Sequence, residues 1–250
     1  MIPKIIHFCW LSGEPYPPLI EHCINSWRKK LPEYQFVLWD KAKADGIASE
    51  WVQEAYRNRK YAFAADYIRC YALYHFGGIY LDADVEVLKN MDELLVCKSF
   101  LGYDSTGALE AAIIGAEPYC PWIGCTLEYY NGRHFVRPDG KFDIRPIPGM
   151  IYEKLHQLFD FKDRPDRIQE LPEITLFPSV YFSPKNYQTL KIKISSETYT
   201  VHHFDGKWID ATVKHRIKKA FHKILSRGLG ESGHNKMVSF IRTIKRMRKL

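Results

Sequence analysis

Two short runs, Lys4–Trp10 and Tyr34–Trp39 (YQFVLW), flank one helical stretch, Leu19–Leu31, and that spacing constrains the fold more than any other feature. The first run alternates and is rich in β-branched residues, so it reads as a strand, and the second reads the same way. Pro15, Pro17 and Pro18 mark the turn between them, with Pro18 where a helix can begin without losing a hydrogen bond. A strand, a helix and a strand in this order make a βαβ unit, and its strands lie parallel in one sheet. The pattern continues with helices over Ile47–Asn58 and Tyr61–Phe76, the latter ended by Gly77-Gly78. Ile79–Leu81 is a short apolar strand that runs into Asp82-Ala83-Asp84. Strands are expected near Phe100–Tyr103, Thr175–Phe177 and Tyr199–His203, and helices near Pro118–Tyr130, Gly149–Leu158, Trp208–Leu225 and His234–Lys249. This predicts an α/β fold: a Rossmann-type mixed, mostly parallel sheet flanked by helices over residues 1–213, then a helical tail over 214–250. Gly228–Gly233 reads as a hinge within that tail.

Charge divides the chain at the same place. The formal charge is +7, but residues 214–250 hold 12 Lys and Arg against one acid, Glu231. The remaining 24 bases face 28 acids, so the globular part is mildly acidic and the basic character belongs to the tail. A hydrophobic fraction of 46% with 26% charged residues is ordinary for a folded globular chain and excludes disorder as the default. No stretch approaches the roughly 18 apolar residues a membrane span needs. The opening MIPKIIHFCWL is too short and too broken for a signal peptide and reads as the first strand. Cys9, Cys23, Cys70, Cys97, Cys120 and Cys125 fit no zinc spacing and read as reduced, structural residues, which favours a cytosolic setting.

The chemistry concentrates in Ala62–Val87. Asp82 and Asp84 follow an apolar strand, and in open α/β sheets ligands bind beyond the carboxyl ends of strands. Two carboxylates directed to one side can share Mn²⁺ or Mg²⁺, cations that also accept phosphate oxygens. Such a cation, placed across the diphosphate of a nucleotide-sugar, neutralises the charge that develops as the glycosidic bond breaks. Asp66 and Arg69 share a face of the preceding helix at i and i+3. They suit sugar or ribose hydroxyls and phosphate oxygens respectively, or they form a surface ion pair. Asp104 and Glu110 read as loop acids, with contact to an acceptor as the alternative.

The spaced residues Ala65, Asp66, Arg69, Leu73, Gly77, Gly78, Tyr80, Asp82 and Asp84 form a run that resembles the DXD-containing sugar-binding region of glycosyltransferase family 32. That family includes bacterial capsule and polysaccharide transferases, yeast mannosyltransferases and relatives among toxin glucosyltransferases. The opening IPKIIHFCWLSG resembles the family's first strand, and YTVHHFDGKW resembles its closing element, with Lys207 where the family commonly has Ser. The resemblance spans roughly residues 2–210. It implies a GT-A-like fold, a UDP- or GDP-sugar donor, a glycan or lipid-linked acceptor, and transfer with retention in bacterial surface polysaccharide synthesis. It implies that Trp10 stacks on the base, that Asp66, Arg69, Tyr80, Lys207 and Trp208 hold the nucleotide-sugar, and that His202 or His203 joins Asp82 and Asp84 on the metal. Which histidine does so is left open.

The tail places Ile217, Phe221, Ile224 and Leu225, and then Val238, Ile241, Ile244 and Met247, on apolar faces among Lys and Arg. A basic amphipathic helix suits an anionic membrane surface, here the inner face of the cell membrane, or else packs on its own domain or on a partner. The acidic globular part argues against nucleic acid. Two other functions fit parts of the pattern. One is a haloacid-dehalogenase-like phosphatase with Asp82 as nucleophile, a motif that normally opens its fold rather than following two strands. The other is a non-catalytic membrane-surface adaptor.

Overall fold

A computed structural model describes residues 1–186 and 189–205, and within them the βαβ unit forms as its spacing predicts. Strand β1 (Ile5–Cys9) leads through helix α1 (Pro18–Lys30) to β2 (Gln35–Trp39), and the strands pair in parallel from Ile5 opposite Gln35 to Cys9 opposite Trp39. A short helix the sequence did not signal, α2 (Lys41–Asp45), precedes α3 (Glu50–Arg57), which falls within the helix expected over Ile47–Asn58. Capping explains both starts. Asp40 accepts from the amide of Lys43 and Ser49 from that of Val52, so each side chain starts its own helix.

Helix α4 (Tyr61–Phe76) ends at Gly77, whose φ is +65°, and its amide bonds the Leu73 carbonyl. Gly78 has φ +99°, and a Cβ there would lie 2.6 Å from the carbonyl oxygen of Ile5. The glycine pair therefore both reverses the chain and lets β3 (Gly78–Leu81) lie beside β1. Beyond it come β4 (Val85–Val87), β5 (Ser99–Tyr103), β6 (Leu109–Ala116), α5 (Pro121–Glu128), α6 (Ile147–Leu158), β7 (Gln169–Glu170), β8 (Thr175–Phe177), α7 (Ser179–Phe182) and β9 (Thr200–His202).

The main sheet has the order β2-β1-β3-β6-β5-β8-β7. Five of its strands, β2, β1, β3, β5 and β8, run the same way, and β6 and β7 oppose them. It is the mixed, mostly parallel sheet the sequence predicts. One apolar layer, around Ile68, Trp51, Trp122 and Ile114, fills the space under α3 to α6, and another, around Phe8, Trp27, Ile79 and Phe100, fills the α1 side. A separate ribbon pairs β4 with β9 antiparallel, Val85 opposite His202. Trp27 anchors it to α1 by donating its indole N–H to the Val85 carbonyl at 2.6 Å. All six cysteines are free of disulfides.

His7 in β1 is buried between β2 and the glycine turn. The Trp39 indole can only donate, so Nδ1 of His7 accepts from it at 3.2 Å and Nε2–H donates to the Gly77 carbonyl at 2.9 Å. The neutral ring is thus fully satisfied, and burial holds its pKa down at about 4 against the ordinary 6.5. As pH drops below 6.5 the unfolded chain takes up a proton that the folded chain refuses. Stability is therefore complete above pH 6.5 and falls toward pH 4, by about 2 kcal/mol between pH 7 and 5. Urea titrations at the two pH values should show that loss reduced by this amount in His7→Gln. An identical pH dependence in both proteins would contradict the assignment.

Candidate active site

The two aspartates reach the site through a turn. Asp82 leaves β3 with its amide bonded to the Ala112 carbonyl at 2.8 Å, and its own carbonyl accepts from Val85 to close the turn into β4. Asp84 sits on that turn, its Oδ2 accepting the amide of Asp205 and its carbonyl the amide of His203. Because β9 pairs with β4, His202 arrives alongside: one ligand atom each from Asp82, Asp84 and His202 lies within 4.8 Å of the others. Two oxygens and one imidazole nitrogen are a donor set that Mn²⁺ or Mg²⁺ accepts, and the residues present fit such an ion.

The fields around the three groups differ. Burial pushes the Asp82 carboxyl up, with Arg69 and His202 opposing it. Burial pushes Asp84 up as well, but His202 and the Asp205 amide outweigh it and hold it at about 2. Burial disfavours the His202 cation, yet the Glu110 and Asp84 charges prevail and hold its pKa well above the usual range. The ring nitrogens of His202 lie 2.8 Å from Glu110 Oε2 and 3.3 Å from Asp84 Oδ1.

Arg69 is buried beside this cluster. Its Nη2 reaches Asp66 at 2.9 Å and Asp82 at 3.3 Å, its Nη1 donates to the Ala111 carbonyl, and its guanidinium lies 4.7 Å above the Tyr80 ring. Asp66 and Arg69 therefore form no surface pair; Arg69 braces Asp82 from behind, and Asp66 holds Arg69. Burial raises the Asp66 carboxyl to about 7, with Arg69 opposing and Asp82 reinforcing the shift.

The other candidates are placed differently. Tyr80, expected to hold the donor, is 1% exposed and lies under the Arg69 guanidinium. His203 turns away from Asp82 and Asp84, and its Nε2 lies 2.9 Å from Glu86, whose other oxygen meets His22 at 3.1 Å. Trp10 is half-buried just past β1, on the edge of the sheet where β3 also ends, with its indole N–H bonded to the Glu14 carbonyl and its ring edge-on to Tyr16. Lys207, Trp208 and the whole 214–250 segment lie outside the described residues. Asp104 is the loop acid it was read to be, and binds the amides of Thr106 and Ala108. Glu110 is not: it stands on β6 and joins His202. A single acid at the head of the apolar run Ala111–Ala116 was the sequence signal for it.

Residues 17–101 match the model of the glycosyltransferase sugar-binding region containing the DXD motif. That span holds α1, α4, β3, the two aspartates and Arg69, so this part of the chain carries the sugar-binding region of that glycosyltransferase family. The chain is also similar to curated proteins over longer spans. It is 33% identical over 189 residues to inositol phosphoceramide mannosyltransferase 1 of Schizosaccharomyces pombe, covering 73% of this chain and 48% of that protein. It is 33% identical over 146 residues to mannosyl phosphorylinositol ceramide synthase SUR1 of Saccharomyces cerevisiae, covering 54% of this chain and 37% of that protein. The chain thus spans half or less of these relatives. Among solved structures it resembles the PaToxG glycosyltransferase at 19% identity and a TM-score of 0.48, over 63% of this chain and 70% of that one.

Proposed function

We propose that this chain transfers mannose from a nucleotide-diphospho-sugar to a lipid-linked acceptor, in a metal-dependent reaction that retains anomeric configuration. The observation that carries the proposal is the convergence of Asp82, Asp84 and His202 beyond the carboxyl ends of parallel strands β1 and β3. The names of the relatives supply the sugar and turn the acceptor from a surface polysaccharide toward a lipid bearing an inositol phosphate.

Asp82, Asp84 and His202 would hold Mn²⁺ or Mg²⁺. A bound cation neutralises the charge that grows on the departing diphosphate. Arg69 fixes Asp82 from behind, Asp66 offers its carboxyl to sugar hydroxyls, and Trp10 stands where a base can stack. Glu110, the remaining carboxylate beside His202, is spent on Ser183, the Ala112 amide and that imidazole. It is therefore no nucleophile, and we favour attack from the face of the leaving group, with the phosphate taking the acceptor's proton. No helix among the described residues is long and apolar enough to cross a membrane. We place the enzyme on the cytoplasmic face of a membrane, held there by the basic residues of 214–250, each worth about 1 kcal/mol at an anionic surface.

The test is an incubation with Mn²⁺, an inositol-phosphate-bearing lipid and either GDP-mannose or UDP-hexoses, followed by mass spectrometry of the lipid. A single added hexose from one nucleotide class is expected. No product and no donor cleavage with any of them would sink the reading.

A further inference from the structure

We propose that Glu110 is the positioning residue of this site, the carboxylate that presents Nε2 of His202 to a divalent cation. The inference rests on the metal-dependent reading above and assigns a role to a residue which that reading leaves outside the ligand set.

The backbone of β6 makes the placement possible. Leu101 of β5 is opposite Ile114 of β6, but the next residue, Gly102, is opposite Glu110. One step along β5 thus corresponds to four along β6, and Ala111–Ile113 are extra residues relative to that neighbour. A bulge of this kind re-aims side chains and frees backbone polar groups from the ladder. Here the backbone of this stretch serves the site. The Ala111 carbonyl accepts from Arg69, the Ala112 carbonyl accepts the Asp82 amide, and the Ala112 amide donates to Glu110 Oε1 at 3.1 Å. One irregular stretch therefore sets Arg69, Asp82 and Glu110 relative to each other.

The carboxylate itself is 12% exposed and fully engaged. Oε2 accepts from Ser183 Oγ at 3.0 Å and from His202 Nδ1 at 2.8 Å. An ionised carboxylate can only accept, so Nδ1 carries the hydrogen. That leaves Nε2 as the nitrogen that would exchange its proton for a cation, and it is the one facing Asp84 Oδ1 at 3.3 Å. The Phe204 ring, 3.9 Å from the imidazole centre, packs against the His202 ring. A histidine that binds a metal through one nitrogen commonly gives the other N–H to a carboxylate, which fixes its tautomer and raises its basicity. Both oxygens of Glu110 already receive donors, so it acts through His202 and not as a further ligand.

Mn²⁺ binding to the full chain, followed by electron paramagnetic resonance, tests this. Bound Mn²⁺ in the unaltered protein should show hyperfine coupling to a nitrogen, and His202→Ala should remove it, which assigns the nitrogen. Glu110→Ala should weaken Mn²⁺ binding about 10- to 100-fold and diminish that coupling. Glu110→Gln keeps the shape and an acceptor oxygen, guards against a misfolded alanine variant, and should lose less affinity. Unchanged affinity and unchanged coupling in both Glu110 variants, with the unaltered protein binding Mn²⁺ through His202, would overturn the inference and leave the metal site standing. No Mn²⁺ binding by the unaltered protein would remove both.

Discussion

Asp84→Asn should abolish sugar transfer, lowering turnover by about 10³-fold while the fold survives. The reasoning runs through the ligand set. Asn keeps an oxygen for the Asp205 amide but cannot supply the second negative charge the cation needs. A Lewis-acid metal contributes several kcal/mol to such a reaction, and each 1.36 kcal/mol is a factor of ten. His202 retains Glu110 as a partner, so the loss of stability is modest and the melting temperature should fall by no more than about 5 °C. Turnover and melting measured on one sample separate the two effects. Turnover within threefold of the unaltered protein would show that Asp84 is no ligand.

The second large effect is on stability. Arg69→Met removes the cation between Asp66 and Asp82 and strands the Ala111 carbonyl inside. Taking one partner from a buried ion pair costs about 3–5 kcal/mol, because the remaining charge is left uncompensated. In a domain of this size that lowers the melting temperature by about 10 °C. The deficit should also depend on pH. Asp66 is already raised to about 7 against an ordinary 3.8, so between those values the folded chain holds a proton that the unfolded chain has given up, and stability falls as pH rises until the folded carboxyl also ionises. Without Arg69 that carboxyl is raised further and the loss continues to higher pH. The variant should therefore trail the unaltered protein more at pH 8 than at pH 6. Equal melting of the two proteins at both values would show that the guanidinium compensates nothing.

These residues also show where sequence was informative. Helix α4 is read to the residue, Tyr61–Phe76, because an apolar helical run meets a glycine pair that no side chain could replace. Strand β8 is read equally well, since Thr175–Phe177 is a short β-rich run bounded by turns. Strand β6, eight residues long, is missed. Its alanines and Gly115 have weak strand preference, and Gly115 is there because Phe100 packs so closely that a Cβ on it would lie 2.1 Å from the ring. Missing that strand is what leaves Glu110 among the loop acids. Alternation along β9 says that one of His202 and His203 faces the site but not which one. Only the pairing of Val85 with His202 decides it, and that pairing depends on β4, three residues too short to read. Tyr80 misleads for a related reason. It stands two residues before Asp82, but the chain leaves the strand at Leu81, so the ring stays in the core while the carboxylate emerges.

The central claim is that Asp82, Asp84 and His202 bind a nucleotide diphosphate through a divalent cation. Thermal melting of the full chain with GDP and with UDP, each with Mn²⁺ and with EDTA, tests it most directly, because a ligand that binds only the native state raises the melting temperature by mass action. The account predicts a rise with one nucleotide class that requires Mn²⁺ and disappears in Asp84→Asn. A rise that is the same in EDTA, or that persists in Asp84→Asn, would contradict it.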